Sequence, residues 1–127
     1  MQLTREQAIE EHRKMWNWIA DQHENGELSA DLKAKYIEVF FPGESILHHC
    51  FCCEYSRLSD NLFSCDSCPF NWGENLGINS HMCIDKYYED DACGLYSLWL
   101  DEVVYGNPIN AKILAREIAD LPEREGV

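Results

Sequence analysis

Two pairs of cysteines in the middle of the chain have the spacing of a tetrahedral metal site. Each pair has the form Cys-x-x-Cys, and together they supply the thiols of Cys50, Cys53, Cys65 and Cys68. Two thiolates at this spacing reach one ion through a tight turn, and a second such turn completes the shell. Zinc suits four thiolates because it has no redox chemistry and accepts tetrahedral sulfur. The pattern therefore predicts one structural zinc ion, Zn2+, held by these cysteines.

Other side chains near these pairs give alternative metal shells. Cys83 in place of Cys50 would also complete a tetrahedral set, and it would attach the C-terminal region to the cysteine pairs. A shell of three cysteines and one histidine would use His49 or His81. A second metal ion would draw on the remaining ligand types, namely Cys52, Cys83, Cys93 and a histidine. Reduced core cysteines, disulfides and an iron–sulfur cluster are the other interpretations.

The cysteine count also bears on the compartment. Met1–Glu6 lacks the apolar run of a signal peptide, and no apolar stretch of the sequence is long enough to span a membrane. A cytoplasmic location is therefore expected, and thiols stay reduced there. The chain has 7 cysteines, an odd number that disulfides cannot use up, so metal binding is the favoured use of the cluster.

Acidic residues dominate the charge of the chain. Its formal net charge is −13, from 23 acidic and 10 basic residues. Direct contact with DNA or RNA needs a basic surface that displaces counterions, and the sequence contains no such stretch. We therefore expect a basic protein partner. The candidate contacts are Glu89, Asp90, Asp91, Asp101 and Glu102, with Trp18 as an apolar anchor. A solvated helix face is the plain alternative for each acid.

Catalytic motifs are missing from the sequence. A catalytic zinc keeps one position for water, whereas four thiolates leave none and make the ion a weak Lewis acid. The chain has no glycine-rich phosphate loop, no Gly-x-Ser-x-Gly and no His-x-Glu followed by Pro-Cys-x-x-Cys. We therefore expect a protein that is not an enzyme, and a zinc or thiol enzyme is the least favoured alternative.

Helices on the N-terminal side would position the cysteine pairs. A capping box at Thr4–Gln7 opens a first helix, an apolar stripe continues it, and Asn25–Gly26 ends it. A second helix is capped by Ser29 and ended by Pro42. Residues 1–43 are therefore predicted to form a helical hairpin.

The middle and C-terminal segments complete the expected fold. Asp60–Asn61 has turn chemistry between flanks that can pair as short strands, which predicts a zinc-ribbon-like β-hairpin within residues 44–80. Residues 81–127 are predicted to hold two helices, within Asp85–Tyr105 and Asn107–Pro122. The apolar stripe of the last helix is assigned to Ile109, Ile113, Ala115, Ile118 and Leu121. The expected fold class is mainly α, with about four helices in a single domain and a small zinc-ribbon-like β-hairpin in the middle.

Cysteine, proline and aromatic positions also form a longer pattern. It consists of Cys50-x-x-Cys53-Glu54-Tyr55, Cys65-x-x-Cys68-Pro69-x-x-Trp72-Gly73, a later cysteine, Tyr96-x-x-Trp99 and the ending Ala115–Pro122. In this pattern the chain resembles small cysteine-rich zinc-binding proteins encoded by phages and prophages of Gram-positive bacteria. The resemblance implies zinc binding and a viral origin. Because small phage proteins often antagonise host defence, it also implies an inhibitor, and CRISPR nucleases are one class of target.

The charge and the resemblance together give a functional hypothesis. It is a non-catalytic acidic zinc-binding protein that binds and blocks a basic, nucleic-acid-handling host protein in the host cytoplasm, as a phage-type inhibitor or anti-CRISPR protein. The partner surface is expected on a nuclease or a similar protein, with no direct contact to nucleic acid and no membrane. The alternative is a zinc-containing transcription or nucleic-acid-associated regulator. The partner, the oligomeric state, the last metal ligand and a second metal site stay open at this point.

Overall fold

Helices make up the described part of the fold. The computed structural model describes residues 2–46, 50–58, 69–70 and 95–123. The five helices of these residues are α1 (Arg5–Glu24), α2 (Leu32–Phe40), α3 (Phe51–Leu58), α4 (Leu95–Tyr105) and α5 (Pro108–Ala119). Among them, none combines the length and the apolar character that a membrane span requires.

α1 begins and ends where local sequence signals place its ends. The Thr4 hydroxyl accepts a hydrogen bond from the Gln7 N–H at 3.1 Å, and the Gln7 side chain accepts one from the Thr4 N–H at 2.9 Å. This reciprocal pair is the predicted capping box, which satisfies two amides that the helix leaves without partners. At the other end Asn25 is the C-cap, and Gly26 takes a left-handed φ of +90°. Both predicted ends of α1 are confirmed.

α1 is the central element of the core. It contacts α2, α3 and α5, and α5 also contacts α4. The predicted apolar face of α1 is buried, including His12 and Trp16. Trp16 meets Trp99 of α4 edge to face, with ring centroids 5.0 Å apart and an interplanar angle of 89°. Such aromatic pairs add about 1 kcal/mol beyond the area that they bury.

The predicted β-hairpin is wrong for the part of it that the structure describes. Phe51–Leu58, which holds the second cysteine of the first pair, is a helix rather than a turn leading into a strand. Phe51 and Cys52 are fully buried on α3, which packs on α1, and this burial overrides the local turn and strand signals. No strand occurs within the described residues, where β structure is limited to an isolated bridge between Phe70 and Glu123.

The mainly α class is consistent with the structure, although α3 raises the number of described helices above the expected four. Asp60–Asn61 and the residues 85–94 of the third predicted helix lie outside the described residues. α2 begins later than predicted, because Asp31 rather than Ser29 is its N-cap. Ser29 instead accepts a hydrogen bond from the Asp31 N–H at 3.1 Å.

α5 starts as predicted but buries a different face. The Asn107 side chain accepts a hydrogen bond from the Asn110 N–H at 3.0 Å, and Pro108 is the first helical residue. The buried positions are Ala111, Ala115, Ile118 and Ala119. Ile109 and Ile113, which the predicted stripe included, are exposed. Alanines at this spacing let α1 and α5 approach closely, and Ile109 and Ile113 lie on the other face of the helix, toward solvent.

Candidate functional site

The predicted metal ligands fall mostly outside the described residues. Cys50 is buried directly before α3, and its carbonyl accepts the first hydrogen bond of that helix from the Glu54 N–H at 3.0 Å. Cys53 lies in the first turn of α3. Beyond the described residues are Cys65, Cys68, Cys83, His49 and His81. Within residues 2–46, 50–58, 69–70 and 95–123, no three acidic, histidine or cysteine side chains form a group that could hold a metal ion. The four-cysteine zinc site therefore stays a prediction.

A histidine and a cysteine nevertheless meet in the core. Nε2 of His12 lies 2.9 Å from the carbonyl oxygen of Ile118 on α5. Since a carbonyl only accepts, Nε2 carries the proton and donates it. The other ring nitrogen, Nδ1, lies 3.9 Å from Sγ of Cys52. The lone pair of a neutral imidazole is therefore on the nitrogen that faces the sulfur.

The surroundings of His12 keep its ring neutral at pH 7. Burial lowers the pKa of His12 from 6.5 to about 4, against the opposing effects of the Ile118 carbonyl and of negative charge on Cys50. The ring of Phe70 covers the imidazole, with centroids 4.2 Å apart. Cys52 exposes none of its surface, so this thiol–imidazole pair does not reach a substrate as a nucleophile would.

His23, the other buried histidine of α1, uses both of its ring nitrogens within the protein. Nε2 accepts a hydrogen bond from the indole N–H of Trp99 at 2.9 Å. Nδ1 donates to the carbonyl oxygen of Glu27 at 2.8 Å. Burial lowers the pKa of His23 and so favours the neutral ring that this arrangement needs. His23 is therefore a structural residue with no nitrogen left for a ligand.

Exposed apolar side chains gather where α4 turns into α5. The exposed fractions are 73% for Val104, 81% for Tyr105, 72% for Ile109 and 51% for Ile113. Val104 and Tyr105 end α4, and Ile109 and Ile113 lie one turn apart on the outer face of α5. We call these four residues the apolar patch. Single exposed apolar residues are ordinary, but several of them around one turn between two helices make this region a candidate interaction site.

Acidic side chains border the apolar patch. Asp101 and Glu102 lie one turn before the end of α4, and Glu117 and Asp120 continue the outer face of α5. We call these four residues the acidic rim. None of their carboxylates forms an ion pair with a base of the described residues. Asp101 and Glu102 are among the predicted partner contacts, whereas Glu117 and Asp120 are not, because the prediction for their helix covers only its apolar stripe.

The described basic side chains are occupied elsewhere. Arg116 pairs with Asp21 at 2.8 Å, Lys112 with Glu24 at 3.0 Å, and Lys35 with Glu27 at 2.7 Å. Arg5 and Arg13 both reach Glu123, and Lys14 reaches two acids of its own helix. Lys33 lies over the ring of Tyr96 at 4.5 Å. The ion pairs of the described residues therefore involve acids of α1, Glu27 and Glu123, and none of them includes an acid of the acidic rim.

The remaining predicted contacts fall into two groups. Trp18 is half buried, and its ring packs edge to face against Tyr36 at 5.7 Å and Phe40 at 6.2 Å. It therefore helps to hold α2 on α1, with part of its surface still accessible. The acids Glu89, Asp90 and Asp91 lie outside the described residues.

Comparison with protein-family models, with curated proteins and with solved structures gives no match to this chain.

Proposed function

We propose that this protein is a non-catalytic binding protein whose α4–α5 surface binds and blocks a basic surface of a nucleic-acid-handling partner. The observation that carries the proposal is the acidic rim, whose carboxylates have no basic partner within the described residues. Unpaired surface acids attract a basic partner and speed its approach, while internally paired acids contribute little field.

The apolar patch supplies the other half of such an interface. Stable protein–protein contacts have an apolar centre with a polar border, and tyrosine is enriched among the residues that contribute most binding energy. Tyr105, exposed by 81%, is the best candidate for an anchor. Asp101 lies three and four positions before Val104 and Tyr105, so helix geometry places its carboxylate on the same side as the patch.

A structural zinc ion belongs to the same proposal. Cys50 and Cys53 frame the first turn of α3, and with Cys65 and Cys68 they would bind Zn2+ and fix the chain between α3 and α4. In this arrangement the metal supports the scaffold and the α4–α5 surface makes the contact. The resemblance to phage proteins supports an inhibitor of host defence, such as an anti-CRISPR protein. The alternative of a nucleic-acid-associated regulator gains no support from the described bases, which are engaged in internal contacts.

Two variants with equal charge change test the proposal. One neutralises the acidic rim through Asp101→Asn, Glu117→Gln and Asp120→Asn. The matched control neutralises exposed acids elsewhere through Glu6→Gln, Asp31→Asn and Glu38→Gln. Each variant and the wild type would capture partners from a bacterial lysate at rising salt, followed by affinity measurement with the purified partner and with DNA.

The proposal predicts a basic protein partner whose binding weakens with salt. Rim neutralisation should weaken it at least tenfold, and the control should change it much less, since only the rim charges would lie in the interface. Tyr105→Ala should weaken binding without changing its salt dependence. Equal loss in both charge variants, binding that ignores ionic strength, or tight binding to DNA alone would overturn the proposal.

A further inference from the structure

We propose that an open groove at the C-terminal end of α5 seats one arginine side chain of the basic partner. Its apolar lining comes from Ile113, Leu121 and Pro122, and its charged lining from Lys112, Arg116, Glu117 and Asp120. We call it the α5 groove. The inference rests on the proposed function, because it names the chemical group that this part of the acidic rim and the apolar patch would receive.

The size and lining of the α5 groove suit one long amphipathic side chain. Its volume is about 480 Å³, and most of its surface is apolar. Long cationic side chains cover apolar surface with their aliphatic stems while the charged head stays near polar groups. Ile113 belongs both to the α5 groove and to the apolar patch, so a side chain bound in the groove would be part of the same interface.

Contacts with α1 hold the apolar part of the α5 groove in place. Leu121 is buried, and its carbonyl oxygen accepts a hydrogen bond from Nη2 of Arg13 at 3.3 Å. Its N–H donates to the carbonyl oxygen of Ile118 at 3.4 Å. A groove that is fixed before binding loses little conformational entropy when a ligand enters.

Two carboxylates of the α5 groove identify its occupant as a cation. Glu117 lies in the last turn of α5 and Asp120 is the C-cap, three positions later, which puts their Cβ atoms roughly 5–6 Å apart on one side of the helix. Both side chains are exposed, and neither belongs to an ion pair of the described residues. The carbonyl groups at the end of α5 add partial negative charge beside them.

Arginine fits this pair of carboxylates better than lysine does. The guanidinium group is a planar fork with five N–H donors, so it can bond to two neighbouring carboxylates at once. It is also weakly hydrated and loses less when it leaves water for a partly apolar surface. The lysine ammonium group is a compact, strongly hydrated point charge, which this geometry favours less.

The two basic residues that line the α5 groove are directed toward α1. Nζ of Lys112 lies 3.0 Å from Glu24, and Nη2 of Arg116 lies 2.8 Å from Asp21. Nη1 of Arg116 also donates to the side-chain oxygen of Asn17 at 2.9 Å. These cations are therefore paired with acids of α1, and they leave Glu117 and Asp120 to a ligand.

A second groove, along α1, lacks this arrangement. It is larger, with a volume of about 660 Å³, and it also contains acidic side chains. Its Glu10 pairs with Lys14 at 3.2 Å, and its Glu123 pairs with both Arg5 and Arg13. Since these acids already have cationic partners within the protein, the α1 groove supplies the matched control for the test.

The test uses a single blocked arginine, N-acetyl-arginine methylamide, as the probe. It is titrated into isotope-labelled wild-type protein, and backbone amide shifts are recorded by NMR. The lysine analogue and the citrulline analogue, which is neutral and nearly the same shape as arginine, are titrated in parallel. We expect saturable shifts centred on residues 117–121 with arginine, weaker binding of lysine and no localised shifts with citrulline.

Two variants with equal charge change locate the binding. The double change Glu117→Gln and Asp120→Asn should weaken arginine binding about tenfold, because it removes two charge-assisted contacts. The control, Glu6→Gln with Glu10→Gln in the α1 groove, should leave the affinity unchanged. Equal loss in both variants, shifts spread over the acidic surface, or equal affinity for arginine and lysine would overturn the inference. An absence of saturable shifts in the wild type would also overturn it.

Binding of the captured partner separates this inference from the proposed function. If no basic protein is captured, the proposed function fails, and localised arginine shifts would still establish the α5 groove as an arginine site. If a basic partner binds the Glu117→Gln, Asp120→Asn variant as tightly as it binds the wild type, the partner does not use the α5 groove. In that case this inference fails while the proposed function stands on the remaining acids of the rim.

Discussion

The indole N–H of Trp99 donates a hydrogen bond of 2.9 Å to Nε2 of His23, which ties α4 to the C-terminal end of α1. The bond exists only while Nε2 is unprotonated, because a protonated nitrogen cannot accept. Both partners are buried, so loss of the bond leaves a donor without water to replace its partner. The protonation state of one histidine is therefore linked to the packing of α4.

Acid should destabilise the protein through His23. Burial lowers the pKa of His23 below its unfolded value of 6.5, so between these two values the unfolded state binds more protons than the folded state. The stability that the neutral His23 ring contributes is fully present above pH 6.5, and it is lost as the pH falls through the pKa of His23 in the folded protein. We expect the free energy of unfolding, measured with urea, to decrease from pH 7.5 to pH 5.

The variant His23→Gln isolates this effect from the titration of other groups. A glutamine does not titrate, so the variant should lose less stability over the same pH range than the wild type does. The indole N–H resonance of Trp99 should move with acid in the wild type. Equal pH dependence in the two proteins would contradict the link between His23 and folding.

Removal of the buried indole of Trp16 should destabilise the core severely. Trp16 is 2% exposed and meets both Trp99 and Tyr96 edge to face. Trp16→Ala should lower the free energy of unfolding by about 3–5 kcal/mol, because it removes apolar contacts and leaves a cavity. The matched change Trp18→Ala should have a smaller effect, since that ring is half buried. Urea denaturation of the two variants makes the comparison, and equal losses would be inconsistent with the packing described.

The ion pair between Arg116 of α5 and Asp21 of α1 should contribute little to the stability of the fold. Its Nη2 lies 2.8 Å from Asp21, and its Nη1 lies 2.9 Å from the side chain of Asn17. Both charged side chains are more than one third exposed, so solvent screens the pair. Asp21→Asn should cost less than about 1 kcal/mol, and high salt should remove most of the difference. A larger loss of stability in Arg116→Ala would then come from the packing of Arg116 and from its hydrogen bonds to Asn17. A double-mutant cycle of Arg116 and Asp21 separates the ion-pair contribution from these other contributions.

Metal removal should unfold the region around the cysteine pairs. The two Cys-x-x-Cys pairs predict about one zinc ion per chain. Because the metal-binding free energy of such a site is also folding free energy, loss of the ion should destabilise the fold. A strong chelator or the change Cys65→Ser should lower the melting temperature and reduce the helical circular dichroism signal. Zinc added back should restore the chelated wild type but not the variant. A protein that holds no metal and keeps its melting temperature in chelator would contradict the zinc prediction.

Local signals predicted α1 and the start of α5, while contacts between distant residues decided the features that were missed. The capping box at Thr4–Gln7 and the cap at Asn107 involve neighbours in the chain, so the sequence contains all that is needed. α3 depends on burial against α1, which overrides the turn chemistry of the cysteine pair.

His12 illustrates why the candidate site was only partly predictable. Its helical spacing correctly placed it on the buried face of α1. Its partners, however, are a carbonyl 106 residues away and a thiol 40 residues away, which no local pattern reveals. The apolar patch was missed for a related reason. Ile109 and Ile113 are as apolar as the buried Ile118 of the same helix, and only the packing of the alanine face against α1 shows that they face outward.

The packing of α1 against α5 sets the order of events during protein synthesis. α1 leaves the ribosome before the other described helices, yet one of the helices that cover its apolar face is α5, the last of them. Helices of this length have little stability until such a face is buried. The nascent chain must therefore carry an exposed Trp16 face until α4 and α5 have been synthesised, and cooperative folding waits until α5 has been released.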